Sequence, residues 1–462
     1  MIQLTKTYHP DHHLAVLIGK NDVSLEDVPA VVNEQIQLFS SSENDFDFLK
    51  IGAQFFFLIK ENVLLEKMRV AGSKVRTQLP KEAEYLDVIG NGEAALALSE
   101  GFILSNYQFL TYFTDKEKRK NAFKKVHLVA EIEETKVDRL NNILKATMWA
   151  RDMVNEPVSF LTAAQLSQEI LKLGEEAGFE VNILEKAKIE ALKMGGLLAV
   201  NKGSVEPPTF TILEYKPSNP RNTKPIVLVG KGVVYDTGGL SLKPTPGSMD
   251  AMKSDMAGAA CMAGAVYAAA LNKVDLHIIG LIPATDNRPG GNAYTPGDVI
   301  TMYDGTTIEV LNTDAEGRMI LADAIAYANK YEPEVIIDAA TLTGAAMIAI
   351  GTKASCLMGN AEQEQMNKLI DAGNEVHERL VLLPFWDDYL EDMKSSVADM
   401  KNIGSRYAGM ITAGKFLEHF AKYPYIHMDI AGPSFLDAAQ DYKGKGGTGT
   451  GVRLLSNYFD KY

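Results

Sequence analysis

The stretch Lys231–Arg318 decides the fold and the chemistry of this chain. It opens with KGVVYDTGGLSLKP (231–244), passes through MDAMKSDMAGAA (249–260) and closes with NTDAEGRMILAD (312–323). Its charged residues of interest are Lys231, Asp236, Lys243, Asp255, Asp314, Glu316 and Arg318. Four carboxylates in one pocket repel one another unless cations neutralise them. Two divalent ions would cancel that charge and provide a hydrolytic two-metal site.

These segments resemble the leucyl aminopeptidase (cytosol aminopeptidase) family. The family signature NTDAEGR stands intact at 312–318, and KGVVYDTGG and MKSDMAGAA match two further family blocks in the same order. The likeness runs from about residue 150 to the end, through DAATLTGA (338–345), KNIGSRYAGMITAGKFL (401–417) and HMDIAGPS (427–434). Several long motifs in one order are far more specific than one short pattern.

The resemblance implies two ion sites that share ligands. One ion would be held by Lys231, Asp236, Asp255 and Glu316, and the other by Asp236, Asp314 (side chain and carbonyl) and Glu316. Lysine binds a metal only through a neutral nitrogen, so coordination must lower its pKa by several units. An oxygen-rich set with one amine accepts both Mn²⁺ and Zn²⁺, and the sequence does not choose between them.

Two cations in this stretch are expected to act on the reaction instead of binding metal. Lys243 is placed to stabilise the oxyanion of a tetrahedral intermediate. The resemblance implies that Arg318 holds a bicarbonate, which serves as the proton shuttle. Five further positions are candidates for substrate binding: Met252, Asn312, Thr341, Leu342 and Gly344.

The implied activity is that of a metalloexopeptidase. The ions would bind the free α-amine and the carbonyl oxygen of a peptide, and a bridging water would attack the carbonyl. The enzyme would therefore remove N-terminal residues, with leucine and other apolar residues preferred. The family resemblance also implies a homohexamer. The physiological peptide and the role of the N-terminal part stay open.

Other classes of function find less support in the sequence. No HExxH zinc motif and no GxSxG nucleophile motif occur, and His427 is expected to be a packed or hydrogen-bonded residue. Some family members also bind DNA as regulators. A formal net charge of −14 and a pI near 5.2 argue against nucleic-acid and anionic-membrane partners. A dipeptidase would differ only in the length of its substrate.

Composition indicates an ordinary globular protein of the cytoplasm. The chain has 462 residues, of which 46% are hydrophobic and 23% charged. Its two cysteines, Cys261 and Cys356, are far apart in sequence and are expected to be buried thiols in a reducing compartment. The first residues lack the pattern of a signal peptide, and no uninterrupted apolar run is long enough to span a bilayer.

The pattern of apolar residues predicts an α/β protein with two domains. Residues 1–135 form a small N-terminal α/β domain, 136–157 a connecting helix, and 158–462 a C-terminal two-metal peptidase domain whose mixed, largely parallel central sheet is flanked by helices. We expect no metal role for His9, His12 and His13, which read as a solvated segment. The glycine-rich stretch 444–449 reads as a mobile loop.

Overall fold

The computed structural model describes residues 1–19, 25–26 and 28–462, which divide into two units. Unit 1 comprises Met1–Met148 and Ala438–Lys445. Its strands are β1 (Ile2–Leu4), β2 (His13–Ile18), β3 (Phe46–Ile51), β4 (Gln54–Lys60), β5 (Tyr85–Ile89) and β6 (Lys125–Val129). Its helices are α1 (Ala30–Ser41), α2 (Leu65–Gln78), α3 (Gly92–Ser105) and α4 (Lys116–Arg119), and α5 (Glu134–Asn155) continues into unit 2.

The sheet of unit 1 is parallel except at one edge. Its order is β1-β6-β5-β2-β4-β3, and only the β3–β4 pairing of this path is antiparallel among the described residues. Both faces of β2 are covered: Leu14, Val16 and Ile18 belong to one hydrophobic cluster, and Ala15 and Leu17 to another. This alternation follows from the two-residue period of a strand, and it makes β2 a central strand with apolar residues on both sides.

Unit 2 comprises Trp149–Asp437 and Gly446–Tyr462. Its strands are β7 (Glu180–Glu185), β8 (Thr209–Tyr215), β9 (Ile226–Gly230), β10 (Gly232–Asp236), β11 (Ile278–Asn287), β12 (Val299–Thr301), β13 (Thr307–Glu309), β14 (Val335–Ala340), β15 (Ser355–Gly359), β16 (Leu380–Leu382), β17 (Met400–Lys401), β18 (Tyr425–Asp429), β19 (Phe435–Leu436) and β20 (Gly446–Gly447). Its helices are α6 (Ala163–Ala177), α7 (Lys186–Ala191), α8 (Gly195–Asn201), α9 (Ala257–Leu271), α10 (Glu316–Ala328), α11 (Gly344–Ile350), α12 (Gln363–Glu375), α13 (Gly409–Glu418) and α14 (Val452–Lys461). Short 3₁₀ segments lie at Met249–Met256, Asn329–Tyr331 and Asp387–Met393.

The main sheet of unit 2 is mixed, with a parallel centre. Its order is β16-β15-β18-β14-β9-β11-β8-β7, and β10 also pairs with β11. The run β18-β14-β9-β11 is parallel, whereas β8 and β7 continue the sheet in antiparallel fashion. Every residue of β9, β11 and β14 is buried, as expected for strands covered by helices on both faces. The α/β fold class predicted from the sequence is thereby confirmed.

Helix α9 packs very close to the centre of this sheet because its sequence, AGAACMAGAVYAAAL, is built mostly of small apolar residues. Val227 and Val229 of β9 lie in the hydrophobic cluster formed with α8 and α10, so the intervening residues of β9 face the other way. On that other face, a Cβ at Gly230 would lie 2.7 Å from the Cα of Ala259 in α9. The sheet is therefore sandwiched between helices.

Local chemistry in the sequence accounts for two features of the backbone. Thr162 caps α6 through its side chain, which accepts a hydrogen bond from the amide of Gln165, and Gly178 ends the helix in the left-handed conformation. The Asp304–Gly305 turn joins β12 and β13 as an antiparallel hairpin.

The prediction that the glycine-rich stretch 444–449 is a mobile loop is wrong. Gly446 and Gly447 form β20, which pairs with β19, and Thr448 is buried and donates a hydrogen bond to the carbonyl of Pro433. Glycine is needed because a side chain at Gly447 would meet Val154 at 2.7 Å. The composition signals close packing here, not freedom of movement.

One continuous helical stretch, Met249–Leu271, is long and apolar enough to cross a membrane by length and composition. Its most apolar window is 94% buried inside the protein, and every residue of α9 except the last is buried. A helix that is apolar all round is typical of a protein core, and this one serves as such.

We predict that Gly258→Ala destabilises unit 2. A Cβ at this position would lie 2.1 Å from the carbonyl oxygen of Ala339 in β14 and 2.9 Å from the amide of Lys231, and neither backbone group can move aside alone. Overpacking of this kind costs about 1–3 kcal/mol. Gly291→Ala is the matched control, because no atom of the described residues lies within 4 Å of its Cβ position. Urea denaturation should give a lower midpoint for Gly258→Ala alone, and equal midpoints for the two variants would contradict this packing.

Candidate metal centre

Lys231 lies at the centre of a buried charge cluster. It directly follows β9, and its ammonium nitrogen Nζ lies 2.7 Å from Asp255 Oδ1 and 3.0 Å from Glu316 Oε1. It also donates a hydrogen bond to the carbonyl oxygen of Thr341, which follows β14. Lys231 is only 2% exposed and Glu316 only 1%. The carboxyl ends of two neighbouring strands therefore bring together groups that are far apart in sequence.

Lys243 holds the second half of the cluster. Its Nζ lies 2.8 Å from Asp236 Oδ2 and 2.5 Å from Asp314 Oδ1. Asp236 ends β10, and its other oxygen accepts hydrogen bonds from the amide of Gly238 and the side-chain amide of Asn287. Each lysine thus bridges two carboxylates, and the four acidic side chains predicted from the sequence do converge.

The pKa values of these groups follow from burial and from their charged neighbours. Burial opposes the charge of both lysines, but the carboxylates around them prevail and raise the pKa of Lys231 and of Lys243. Burial raises the pKa of Asp255 well above its usual range, against the effect of Lys231, and raises that of Asp314 to about 6. The negative charges of Asp236 and Glu316 raise both further.

The donor atoms of this cluster fit divalent cations. One carboxylate oxygen from each of Asp236, Asp255 and Glu316 lies within 4.8 Å of the other two. Asp255 Oδ2 and Glu316 Oε2 are buried and find no hydrogen-bond donor among the described residues. A buried carboxylate oxygen without a donor is costly, and a cation supplies the missing partner. Oxygen donors of this kind suit Mn²⁺-type ions, and a lysine nitrogen adds compatibility with Zn²⁺.

Two residues that sequence reasoning missed hold the loops of the cluster together. Asn287, at the end of β11, donates from its side chain to Asp236 and to the carbonyl of Thr313. Thr313 Oγ1 donates to the carbonyl of Gly238 and accepts from the amide of Ser241. Asn287 is the last residue of a buried strand and Lys231 directly follows one, so a polar residue at a strand end is the signal in the sequence that could have identified it.

Arg318 lies in the first turn of α10, which begins at Glu316. Its Nη1 donates to the carbonyl of Asn402 at 2.9 Å, and its guanidinium lies 6.0 Å from the centre of the Phe416 ring. It is 6% exposed, and burial lowers its pKa to about 10 despite the nearby carboxylates of Glu316 and Asp429. The guanidinium remains charged at neutral pH, beside the acidic cluster without a direct ion pair to it among the described residues.

The predicted substrate-binding residues differ in how they contact the charge cluster and in how exposed they are. Thr341 lies against it, since its hydroxyl donates to Asp255 Oδ1 at 2.7 Å. The Leu342 amide donates to Asp429, and Gly344 is exposed at the start of α11. Met252 is half-buried in the 3₁₀ segment that also carries Asp255.

Asn312 has a structural role in the signature loop. Its side-chain oxygen accepts from the amide of Asp314, and its carbonyl accepts from the side chain of Asn402. These bonds fix the backbone that presents Asp314.

His427, predicted to be packed or hydrogen-bonded, is confirmed as such. It is completely buried in β18, and its Nδ1 lies 2.8 Å from Asp338 Oδ1. Burial opposes its protonation, but Asp338 prevails and raises the pKa of this imidazole.

Comparison with known proteins agrees with this geometry. Residues 148–456 match the model of the cytosol aminopeptidase family, catalytic domain. A probable cytosol aminopeptidase of Chloroherpeton thalassium is 53% identical over 308 residues, which are 66% of this chain and 60% of that protein. A probable cytosol aminopeptidase of Chlorobium limicola is 47% identical over 381 residues, which are 79% of this chain and 75% of that protein.

Solved structures share the fold over nearly the whole chain. The bottromycin maturation enzyme BotP in complex with Mn has a TM-score of 0.85 at 30% identity and covers 97% of this chain and 98% of its own. A mutant of tomato leucine aminopeptidase has a TM-score of 0.87 at 27% identity and covers 100% of this chain and 96% of its own. With its signature loop, its carboxylate cluster and this match, the chain belongs to the cytosol aminopeptidase family.

Proposed function

We propose that the protein is a metal-dependent aminopeptidase, a hydrolase that removes the N-terminal residue of peptides. The observation that carries this proposal is the convergence of Asp236, Asp255 and Glu316 on one buried point, with two of their oxygens lacking any donor among the described residues. Family membership supports the same activity. Two divalent ions held there would polarise the peptide carbonyl, anchor the free amine and make a bridging water acidic enough to attack near neutral pH.

The ligands are proposed to be Lys231, Asp236, Asp255, Asp314 and Glu316, with Asp236 and Glu316 shared between the two ions. Asp236 supports a shared position because its two oxygens face different partners, Asn287 on one side and Lys243 on the other. Lys231 already approaches Asp255 and Glu316 within hydrogen-bond distance, so its nitrogen would need little movement to reach the same ion after the ion displaces its proton. Mn²⁺ or Zn²⁺ fits this donor set, and the Mn in the BotP structure favours testing Mn²⁺ first.

Lys243 is proposed to stabilise negative charge on the substrate. Its ammonium group is held by Asp236 and Asp314 and stays protonated, because these carboxylates raise its pKa against the effect of burial. If Asp236 and Asp314 held cations, the ammonium of Lys243 would be free to face the developing oxyanion. A fixed donor of this type typically contributes about 2.7–4 kcal/mol to transition-state stabilisation.

Arg318 is proposed to hold a bicarbonate that moves a proton from the attacking water to the leaving amine. The guanidinium is buried and charged, and only its Nη1 is committed to the Asn402 carbonyl, while Nε finds no partner among the described residues. A planar guanidinium with an N–H group still available suits a planar oxyanion such as bicarbonate. The position two residues after Glu316 keeps this anion beside the ions without making Arg318 a ligand.

Substrate range, assembly and location extend the proposal. Leucine and other apolar residues are the proposed N-terminal residues, with Met252, Asn312, Thr341, Leu342 and Gly344 as candidate contacts. Thr341 has the most direct support, because its hydroxyl contacts the metal-site residue Asp255. We propose a homohexamer in the cytoplasm acting on peptides, and a net charge of −14 gives no support to a nucleic-acid partner.

The first test of this function is the need for a free α-amine. A leucyl peptide should be hydrolysed by the Mn²⁺-loaded protein, whereas its N-acetylated form should react far more slowly, because acetylation removes the lone pair that anchors the substrate. Release of leucine measured by chromatography separates the two rates. The same protein treated with a chelator provides the background. Comparable hydrolysis of both peptides would refute an aminopeptidase.

The second test concerns Arg318. Arg318→Ala should lower kcat by about 10²–10⁴-fold, the usual contribution of general acid–base help, without loss of bound metal. Bicarbonate added to CO₂-free protein should raise kcat of the wild type and do little for the variant. Arg288→Ala is the control, since Arg288 is paired with Asp286 and belongs to neither the cluster nor the shuttle. Equal responses of wild type and Arg318→Ala to bicarbonate would show that Arg318 has another role.

A further inference from the structure

A second group of metal-ligating side chains lies in unit 1. Contrary to the expectation of a solvated segment, His9 and His12 meet His127 and the buried carboxylate of Asp87. One donor atom from each of the four residues lies within 4.8 Å of the others. The His9 side chain is 48% exposed, that of His12 18%, that of His127 10%, and that of Asp87 is fully buried. The group is thus anchored in the fold and open to solvent at one end.

The sheet places two of these ligands. Asp87 of β5 and His127 of β6 are direct partners in a parallel pairing, so their side chains lie side by side on one face of the sheet. His9 and His12 come from the turn before β2, which the His12 amide closes by donating to the His9 carbonyl. The Tyr85 ring stacks on His12 at 4.7 Å between ring centres and on His127 at 5.7 Å, which holds both imidazoles in place.

The distances between the donor atoms are near those of a tetrahedral ion site, and most of them are slightly shorter. His12 Nδ1 and His127 Nδ1 are 3.3 Å apart. Asp87 Oδ1 lies 2.8 Å from His12 Nδ1 and 3.1 Å from His127 Nδ1, and Asp87 Oδ2 lies 3.0 Å from His9 Nδ1. Zinc bonds of about 2.0–2.1 Å in a tetrahedron place neighbouring ligand atoms about 3.3–3.4 Å apart. A small expansion of the group would therefore accommodate an ion at its centre.

Two imidazole nitrogens converge on one carboxylate oxygen. His12 and His127 both direct Nδ1 at the same oxygen of Asp87, and these two nitrogens lie only 3.3 Å apart. Neutral imidazoles and an ionised carboxylate are all ligands to a cation, so bonds to an ion would replace these hydrogen bonds.

We propose that His9, His12, Asp87 and His127 bind a divalent transition-metal ion of the Zn²⁺ type. Imidazole nitrogens select such ions, in contrast to the oxygen-rich cluster of unit 2. Four protein ligands leave no open coordination position, so the ion has a structural role. It fixes the turn that carries His9 and His12 to strands β5 and β6.

Metal content of the full-length protein tests this site. After equilibration with Zn²⁺ alone and removal of unbound metal, the wild type should retain one zinc ion more per chain than His127→Gln or His12→Gln, measured by plasma mass spectrometry. His13→Gln is the matched control: it lies next to His12, but its Nδ1 accepts from the Phe55 amide and is not part of the group. The control should keep the wild-type content. Equal zinc in the wild type and in both test variants would overturn the proposal, and this difference does not depend on hydrolysis or on metal in unit 2.

If the variants do not fold, a measurement on the wild type tests whether the histidine group binds zinc. Zinc should protect His9 from modification by diethyl pyrocarbonate, because coordination engages the imidazole lone pair that reacts with this reagent. The exposed His419 should react equally with and without zinc. Mass spectrometry of peptides reads both sites in one sample. Unchanged labelling of His9 in the presence of zinc would rule out the site.

Discussion

The repulsion among four carboxylates in one buried pocket is the constraint on which the rest of unit 2 depends. Lys231 and Lys243 neutralise two of these charges, each by bridging a pair of carboxylates at 2.5–3.0 Å. Two formal negative charges remain, and the orphaned oxygens of Asp255 and Glu316 mark where they concentrate. An unpaired buried charge is strongly destabilising, so this arrangement is best balanced when cations are bound. The charge cluster and the proposed metal-dependent activity therefore have one physical origin.

The parallel sheet makes the convergence possible. Lys231 follows β9, Thr341 follows β14 and Asn287 ends β11, and these strands are neighbours that finish at the same edge. Close packing of α9 behind the sheet brings the Asp255 segment to the same place, since Gly258 leaves no space between helix and strand. The small residues of α9 thus set the distance between this helix and the sheet. The polar residues at the strand ends supply the charged and hydrogen-bonding groups of the site.

The convergence of the acidic residues was expected from the sequence because Asp236, Asp255, Asp314 and Glu316 lie in long blocks that resemble those of one family in the same order, and their role as metal ligands stays a proposal. The helix cap at Thr162 and the Asp304–Gly305 hairpin were equally accessible, since each depends on local chemistry. The contacts that support the signature loop were harder to predict. Asn402 donates a hydrogen bond to the carbonyl of Asn312 from 90 residues away, and no local sequence pattern connects the two residues. The histidine group of unit 1 was missed for the same reason, because pairing of β5 with β6 brings in Asp87 and His127.

Anomalous diffraction from crystals grown with Mn²⁺ tests the central claim most directly, because it locates ions instead of inferring them from activity. Two manganese peaks are expected in the wild type, both in contact with Asp236 and Glu316, and both should disappear in Glu316→Ala. Lys231→Ala should mainly weaken one peak, since Lys231 is proposed to serve a single ion. Absence of manganese from the cluster in the wild type, or two peaks retained in Glu316→Ala, would contradict the two-ion centre with shared carboxylates.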